Sequence, residues 1–113
     1  MEDFTWAREF PGAITVCDTQ GIIVYMNDRS AKTFEKDGGA ALVGQSLMDC
    51  HSARSQEMIQ QMLETHERNV YTIEKNGVRK LIYQSPWYQN GEFAGLVEIS
   101  LEIPEQMPHF VRG

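Results

Sequence analysis

The chain has 113 residues, 10 basic and 16 acidic side chains and a net charge of −6, and 42% of its residues are hydrophobic. This length supports one domain with one core. Because the chain is acidic and has no Lys/Arg block, we expect no direct contact with nucleic acid. No apolar run approaches the roughly 20 residues that cross a bilayer, and the first residues are acidic, so we expect a cytoplasmic protein without membrane contact.

The first residues predict a flanking arm. Residues 2–10 carry Phe4, Trp6 and Phe10 among charged side chains, at spacings that suit a short amphipathic helix, and Pro11 ends it. The rest of the chain lacks repeats, low-complexity stretches and long linkers, which predicts one folded unit. The predicted divisions are an N-terminal helix or arm over residues 1–12, a domain over residues 13–104 and a tail over residues 105–113.

A β-hairpin is predicted after the arm. β-Branched and aromatic residues on both sides of a turn at Gly21 predict strands over residues 13–18 and 22–26. The next two residues are polar. Either Asn27 or Asp28 can accept a hydrogen bond from the free N–H groups of a helix turn, so a short helix should begin there.

A longer helix is predicted in the middle of the chain. Ser52 can cap it, and the helical pattern runs to about His66. Residues 40–50 before it are mixed in character and interrupted by Gly44, which predicts single helical turns and a loop. Apolar residues recur about every 3.6 residues along one face of the long helix, and this face contains Met58, Ile59, Met62 and Leu63.

The last third of the chain predicts three strands, over residues 70–75, 78–89 and 92–103. The two connecting dipeptides, Asn76-Gly77 and Asn90-Gly91, tolerate positive φ at both central positions of a type I′ turn. In the last strand apolar and polar residues alternate, which predicts one buried and one wet face. Its apolar residues are Val97, Ile99, Leu101 and Ile103. The strand residues expected to pack against the long helix are Val16, Val24, Val97 and Ile99.

With this order of elements, the sequence resembles a PAS domain over nearly its whole length. The resemblance lies in residues 13–18, in residues 21–27 and in the late segment 83–98. Residues 47–55 also resemble a subgroup of bacterial PAS domains that has a Cys-His pair, here Cys50-His51, before the long helix. The resemblance implies an α+β fold, with a five-stranded antiparallel sheet and helices packed on one face.

The same resemblance implies a sensory function. PAS domains often hold a small molecule or cofactor between the sheet and the long helix, and they relay its presence to a signalling partner protein or an output domain. The alternative that stays open is a ligand-free PAS module that acts only in protein association. An enzyme is not expected, because nucleophile motifs, phosphate loops and metal-carboxylate clusters are missing from the sequence. A reaction at Cys50-His51 ranks last.

Candidate site residues lie around the start of the long helix. By resemblance to haem-binding PAS domains, His51 could ligate haem iron, although a histidine at the pocket edge is the commoner role. Flavin is not expected, because residues 45–51 do not match the Asn-Cys-Arg-Phe-Leu-Gln type stretch of flavin-binding PAS domains. Zinc is not expected either, because the sequence lacks spaced ligand pairs. The predicted pocket residues are His51, Met48, Met58, Met62, Tyr71 and Tyr83.

Two further expectations concern thiols and assembly. Cys17 and Cys50 should be free thiols, because two cysteines in a domain of this apolar content do not form a disulfide framework. The aromatic residues of the arm need an apolar surface, either on their own sheet or on a second subunit. We expect a homodimer that pairs through the N-terminal segment and the outer face of the sheet, since two-fold pairing is the commonest oligomer.

Overall fold

The computed structural model describes residues 5–113, except for the side chain of Cys50. The described residues form a five-stranded antiparallel sheet with a few helices, which confirms the predicted α+β fold. The helices are α1 (Thr5–Arg8), α2 (Asp28–Thr33) and α3 (Ala53–Thr65). The strands are β1 (Ala13–Cys17), β2 (Ile23–Met26), β3 (Asn69–Lys75), β4 (Val78–Gln89) and β5 (Glu92–Ile103), in the sheet order β2-β1-β5-β4-β3. Three 3₁₀ turns connect α2 to α3, at Glu35–Asp37, Gly39–Leu42 and Leu47–Cys50.

The predicted arm helix is present but short. Four residues of the predicted segment are helical in α1, and Phe4 lies outside the described residues. Trp6 is 66% exposed, and its ring meets the edge of the Phe10 ring at 6.2 Å. None of the helices that the structure describes is long and apolar enough to cross a bilayer.

Local signals in the sequence set the ends of α3 and of the last two hairpins. Ser52 Oγ accepts a hydrogen bond from the N–H of Ser55, and His66 closes the helix in the left-handed conformation at φ 60°. Both Asn-Gly turns have positive φ at both residues, 54° and 77° at Asn76-Gly77 and 53° and 82° at Asn90-Gly91. The predicted cap and the predicted type I′ turns are therefore confirmed.

A fully buried asparagine organises the part of the fold formed by β1, β2 and α2, which we call the corner. Asn27 is 0% exposed. Its Oδ1 accepts hydrogen bonds from the N–H of Ile14 at 2.9 Å and of Ser30 at 3.0 Å. Its Nδ2 donates to the carbonyl oxygens of Ala7 at 2.9 Å and of Gly12 at 2.8 Å. One side chain therefore joins the arm, the first strand and the start of α2.

Apolar packing under the corner adds to these hydrogen bonds. The hydroxyl groups of Thr15 and Ser30 are hydrogen-bonded to each other, and Ser30 is 0% exposed. A cluster of buried side chains lies beside them: Ile23, Met26 and Leu42. Because the hydroxyl groups of Thr15 and Ser30 are paired, their burial costs little.

The centre of the sheet depends on a close approach of β5 to β1. Gly95 has φ 141°, and a Cβ at this position would collide with the carbonyl oxygen of Cys17. That same carbonyl accepts a hydrogen bond from Trp87 Nε1 at 3.0 Å. Only glycine fits this conformation and this space, so β4, β5 and β1 meet at one backbone oxygen.

The structure corrects the predicted direction of the β5 side chains. Leu96, Glu98 and Ser100 lie on the face toward α3, which we call the inner face. The intervening Ile99 and Leu101 therefore lie on the opposite, outer face, where Leu101 approaches Gly12. Alternation in the sequence defines two faces but not which of them the helices cover, and here the more polar face lies under α3.

The core contacts predicted for α3 are correct only in part. Met62 is buried and packs with Cys17 and Leu96, and Ile59 and Leu63 contact this cluster while half-buried. Met58 is 43% exposed. Of the predicted strand partners, Val24 is 47% exposed, Val16 and Ile99 lie on the outer face, and Val97 borders the inner face. The helix does not rest fully on the sheet because a cavity separates them.

Candidate ligand-binding cavity

A cavity of about 310 Å³ lies between α3 and the inner face of the sheet. This volume is at the lower end of the roughly 300–1,000 Å³ that small-molecule sites occupy. Its wall on the helix side is mainly apolar and includes Phe34, Leu47, Met58, Ile59 and Met62. Its floor consists of inner-face residues of β1, β3, β4 and β5. An apolar wall opposite a floor with a few polar groups is typical of sites that bind small molecules.

Four polar side chains cross the cavity floor in one row. The strand register places Thr15 beside Glu98, Glu98 beside Gln84, and Gln84 beside Asn69. Asn69 Nδ2 donates to Gln84 Oε1 at 3.0 Å, and Gln84 Nε2 donates to Glu98 Oε2 at 2.7 Å. The Gln84 amide therefore presents its oxygen to Asn69 and its N–H to Glu98, and the chain of donors ends at the Glu98 carboxylate.

Tyr71 lies in the next row of the floor, opposite Ile82, and Ile82 is in turn opposite Ser100. Burial raises the pKa of the Tyr71 hydroxyl, and the negative charge of Glu98 raises it further. The hydroxyl therefore keeps its proton at neutral pH. Its ring and its O–H are both available to a molecule in the cavity.

His51 lies at the entrance of α3 and lines the cavity. Its Nδ1 is 2.7 Å from the carbonyl oxygen of Leu47. Because a carbonyl only accepts, Nδ1 carries a proton, and in the neutral ring the lone pair is on Nε2. Gln56 Nε2 donates to the carbonyl oxygens of Met48 at 2.8 Å and of His51 at 3.0 Å, which ties this turn to the helix.

Four of the predicted pocket residues line the cavity: His51, Met58, Met62 and Tyr71. The placement of Tyr83 is wrong, because Tyr83 alternates with Ile82 and Gln84 and lies on the outer face, where its hydroxyl accepts from Arg68 Nη1 at 3.1 Å. Met48 is half-buried in the preceding 3₁₀ turn and is not part of the lining. The polar row with Glu98 was missed, because the polar residues of β5 were interpreted as solvent-facing.

Haem ligation by His51 stays a prediction, and a porphyrin would need more room than the cavity of about 310 Å³ provides. A porphyrin is larger than the drug-sized ligands that the lower end of the volume range holds. Insertion of the macrocycle would have to displace α3 side chains such as Ile59 and Met62. Among the described side chains, no three Cys, His, Asp or Glu residues are grouped as a site for a bare metal ion. Cys17, a buried free thiol, packs in the hydrophobic cluster, and the side chain of Cys50 is outside the described part.

Solved structures with the same fold include sensory proteins. A C-terminal domain from Streptococcus mutans aligns with a TM-score of 0.69 and 17% identity, over 85% of this chain and 78% of that chain. The Aer2 receptor of Vibrio cholerae, a dual PAS-haem oxygen sensor, aligns with a TM-score of 0.59 and 14% identity, over 82% of this chain and 95% of that chain. At these identities the likeness shows the fold alone.

A third similar structure is Vibrio cholerae VqmA bound to DPO, with a TM-score of 0.64, 14% identity and coverage of 87% of this chain and 54% of that chain. The chain thus corresponds to about half of VqmA. No curated protein sequence matches the chain. A family model described as the PAS fold matches residues 8–107. The match extends from α1 to just beyond β5, and the chain therefore belongs to the PAS fold family.

Proposed function

We propose that this PAS domain is a sensor module that binds a small molecule between α3 and the sheet and relays its presence through protein contacts. The observation that carries the proposal is the cavity of about 310 Å³ beneath α3. Its combination of an apolar wall with a hydrogen-bonded polar floor suits a compact ligand with one polar end. VqmA, which has the same fold, has been solved bound to DPO. The proposal concerns binding and relay, without a catalytic step.

The relay would begin at α3. Met62 is the one residue of the helix that is buried, whereas Met58 is 43% exposed and Ile59 is half-buried. A ligand that contacts Met58 and Ile59 would shift the helix relative to the sheet with little loss of core packing. A signalling partner protein or an output domain that touches α3 would sense this shift.

Pairing of two copies is the second part of the proposal. The outer face of the sheet carries half-buried apolar residues of β4 and β5, and the exposed Trp6 lies on the neighbouring arm. These outer-face residues include Leu81, Tyr83, Ile99 and Leu101. These four side chains carry no charge, and the charged group beside them is Arg68, which donates to the Tyr83 hydroxyl, so the patch does not share the net charge of −6 of the chain. The acidic chain itself would make no direct contact with nucleic acid. On the basis of the Cys50-His51 pair in the sequence, we also propose that the domain belongs to the bacterial Cys-His subgroup.

Native mass spectrometry of protein purified from cells tests the binding proposal. Ser100 lies on the cavity floor, so Ser100→Phe should fill the cavity, whereas Thr72→Phe on exposed β3 is the matched control. We expect a bound small molecule on the original chain and on the Thr72→Phe variant, and none on Ser100→Phe. A chain that carries no adduct and whose thermal midpoint no fragment raises would contradict the proposal.

The alternative function is association without a ligand, which the apolar outer face favours. It predicts that assembly is independent of the cavity. Removal of residues 1–10 should convert a dimer to a monomer in sedimentation, and Ser100→Phe should leave the dimer unchanged. If the intact chain is monomeric at high micromolar concentration, the arm and the outer face do not form a dimer interface.

A further inference from the structure

A carboxylate on the floor of a mainly apolar cavity needs a partner. Glu98 is half-buried and lies on the inner face, under α3. An ionised carboxylate can accept about four hydrogen bonds, and burial of the charge is costly unless it is compensated. Among the described residues, the one hydrogen bond to the Glu98 carboxylate comes from Gln84 Nε2, at 2.7 Å. The protein therefore supplies one donor, on Oε2, and leaves the other oxygen to an incoming group.

The basic side chains near the cavity form no ion pair with Glu98 among the described residues. The ion pairs among the described residues join Arg8 to Asp28 and Arg79 to Glu74, and neither includes Glu98. Lys80 lines the same cavity, but the strand register places it opposite Glu102, four residues along β5 from Glu98, which is roughly 13 Å of strand. The Nδ1 proton of His51 is directed to the Leu47 carbonyl.

The polar row fixes Glu98 as an acceptor. If the carboxylate is ionised, Gln84 must turn its N–H₂ toward it, and the Gln84 oxygen must then face the N–H₂ of Asn69. These are the two hydrogen bonds that the structure contains. The amides therefore hold the carboxylate in place on the floor of the cavity.

The surroundings of Glu98 suit an organic cation. The aromatic ring of Tyr71 lies on the same floor, and an aromatic face attracts a cation that approaches it. Met58 and Ile59 lie on the opposite, helical wall and would contact an apolar body. On these grounds, and resting on the proposed function, we infer that the ligand is a small apolar or aromatic molecule with a positively charged nitrogen that pairs with Glu98.

Three probes of the same ring size test the inference: benzylamine, benzyl alcohol and benzoate. In NMR titrations we expect benzylamine to bind the cavity most tightly and benzoate most weakly. Glu98→Gln keeps the shape and can still accept from Gln84, and it should weaken benzylamine binding about ten- to one-hundred-fold while leaving benzyl alcohol unchanged. Glu102→Gln, on the same strand, removes the same charge outside the cavity and should change neither affinity.

The outcomes separate the inference from the proposed function. If benzyl alcohol binds as tightly as benzylamine and Ser100→Phe abolishes both, the cavity binds ligands but the role of Glu98 is wrong. If none of the three probes binds the original chain, the inference fails, and native mass spectrometry of the purified chain decides the proposed function separately. If Glu98→Gln does not fold, the order of the three probe affinities is measured on the original chain and on Glu98→Asp. Because Glu98→Asp retains the charge, it must retain the preference for benzylamine, and loss of that preference would overturn the inference.

Discussion

The two ends of the sheet differ in how firmly their side chains are held. At the corner, β1 is almost entirely buried, and Asn27 and Ser30 are fully enclosed. At the other end, β3 is exposed along its whole length except for the half-buried Asn69. The helix beside it, α3, buries Met62 alone. Stability is therefore concentrated at the corner, and freedom to move is concentrated where the cavity lies.

This division is useful for a binding domain. Elements that rearrange on ligand binding come from the less stable parts of a structure, while a rigid part preserves the fold. The polar row joins the two parts, because it runs from Thr15 on the corner side to Asn69 on β3. The four predictions below test the contrast, from the largest expected effect to the smallest.

The two asparagines at opposite ends of the sheet should differ most. Asn27→Ala removes four hydrogen bonds of a fully buried side chain and should lower the free energy of unfolding by about 3–5 kcal/mol. Asn69→Ala removes one hydrogen bond to Gln84 and should cost about 1 kcal/mol or less. Urea denaturation measures both. Equal losses would show that the corner is not the more firmly held end.

Two methionines on α3 test how the helix rests on the sheet. Met62→Ala should cost about 2–4 kcal/mol, because the buried side chain packs against Cys17 and Leu96. Met58→Ala should cost less than about 1 kcal/mol, because Met58 is 43% exposed over the cavity. Thermal and urea unfolding of the pair provide the comparison. A larger loss for Met58 would mean that α3 is rotated from the orientation described above.

The two tryptophans test the link between β4 and the corner. Trp87→Phe removes the hydrogen bond from Nε1 to the Cys17 carbonyl and should lower the free energy of unfolding by about 1 kcal/mol. The matched change Trp6→Phe, at a residue that is 66% exposed, should stay within about 0.5 kcal/mol. If chemical denaturation shows no difference between the two variants, the indole does not tie the strands together.

The smallest effect concerns pH. Burial raises the pKa of the Cys17 thiol above its ordinary value of 9.0, so the folded chain keeps a proton that the unfolded chain releases. This contribution is intact below the unfolded pKa and declines as the pH rises past it. Between pH 8 and 9.5, the free energy of unfolding should fall more for the original chain than for Cys17→Ala. We expect this extra loss to be small, below about 1 kcal/mol. Identical pH profiles would show that the thiol ionises equally well in both states.

Much of the secondary structure could be predicted because its signals are local. The Asn-Gly dipeptides and Ser52 act through their own backbone neighbours, so residues 78–89 and 92–103 were delimited correctly as strands. Asn27 and Asp28 were the two predicted candidates for the helix cap, and Asn27 is the cap. Its bonds to Ala7 and Gly12 were not predicted, because they join residues far apart in the chain.

The site was harder to predict than the fold. His51 and Tyr71 were identified as cavity residues from the resemblance and from residue type. Glu98 was missed because a strand with period two has two possible orientations, and the apolar one was assigned to the helix side. What decides the orientation is the cavity itself, whose floor accommodates polar groups that a close-packed interface would exclude.

The position of β5 has a consequence for how the chain acquires its fold during synthesis. The strand at the centre of the sheet is the last one in the sequence, and it joins β1 to β4. Until the ribosome releases residues 92–103, the β1–β2 and β3–β4 hairpins have no strand between them, and isolated two-stranded hairpins are barely stable in water. Such long-range pairing slows folding, and the unpaired edges of β1 and β4 are exposed to aggregation while the nascent chain waits for its central strand.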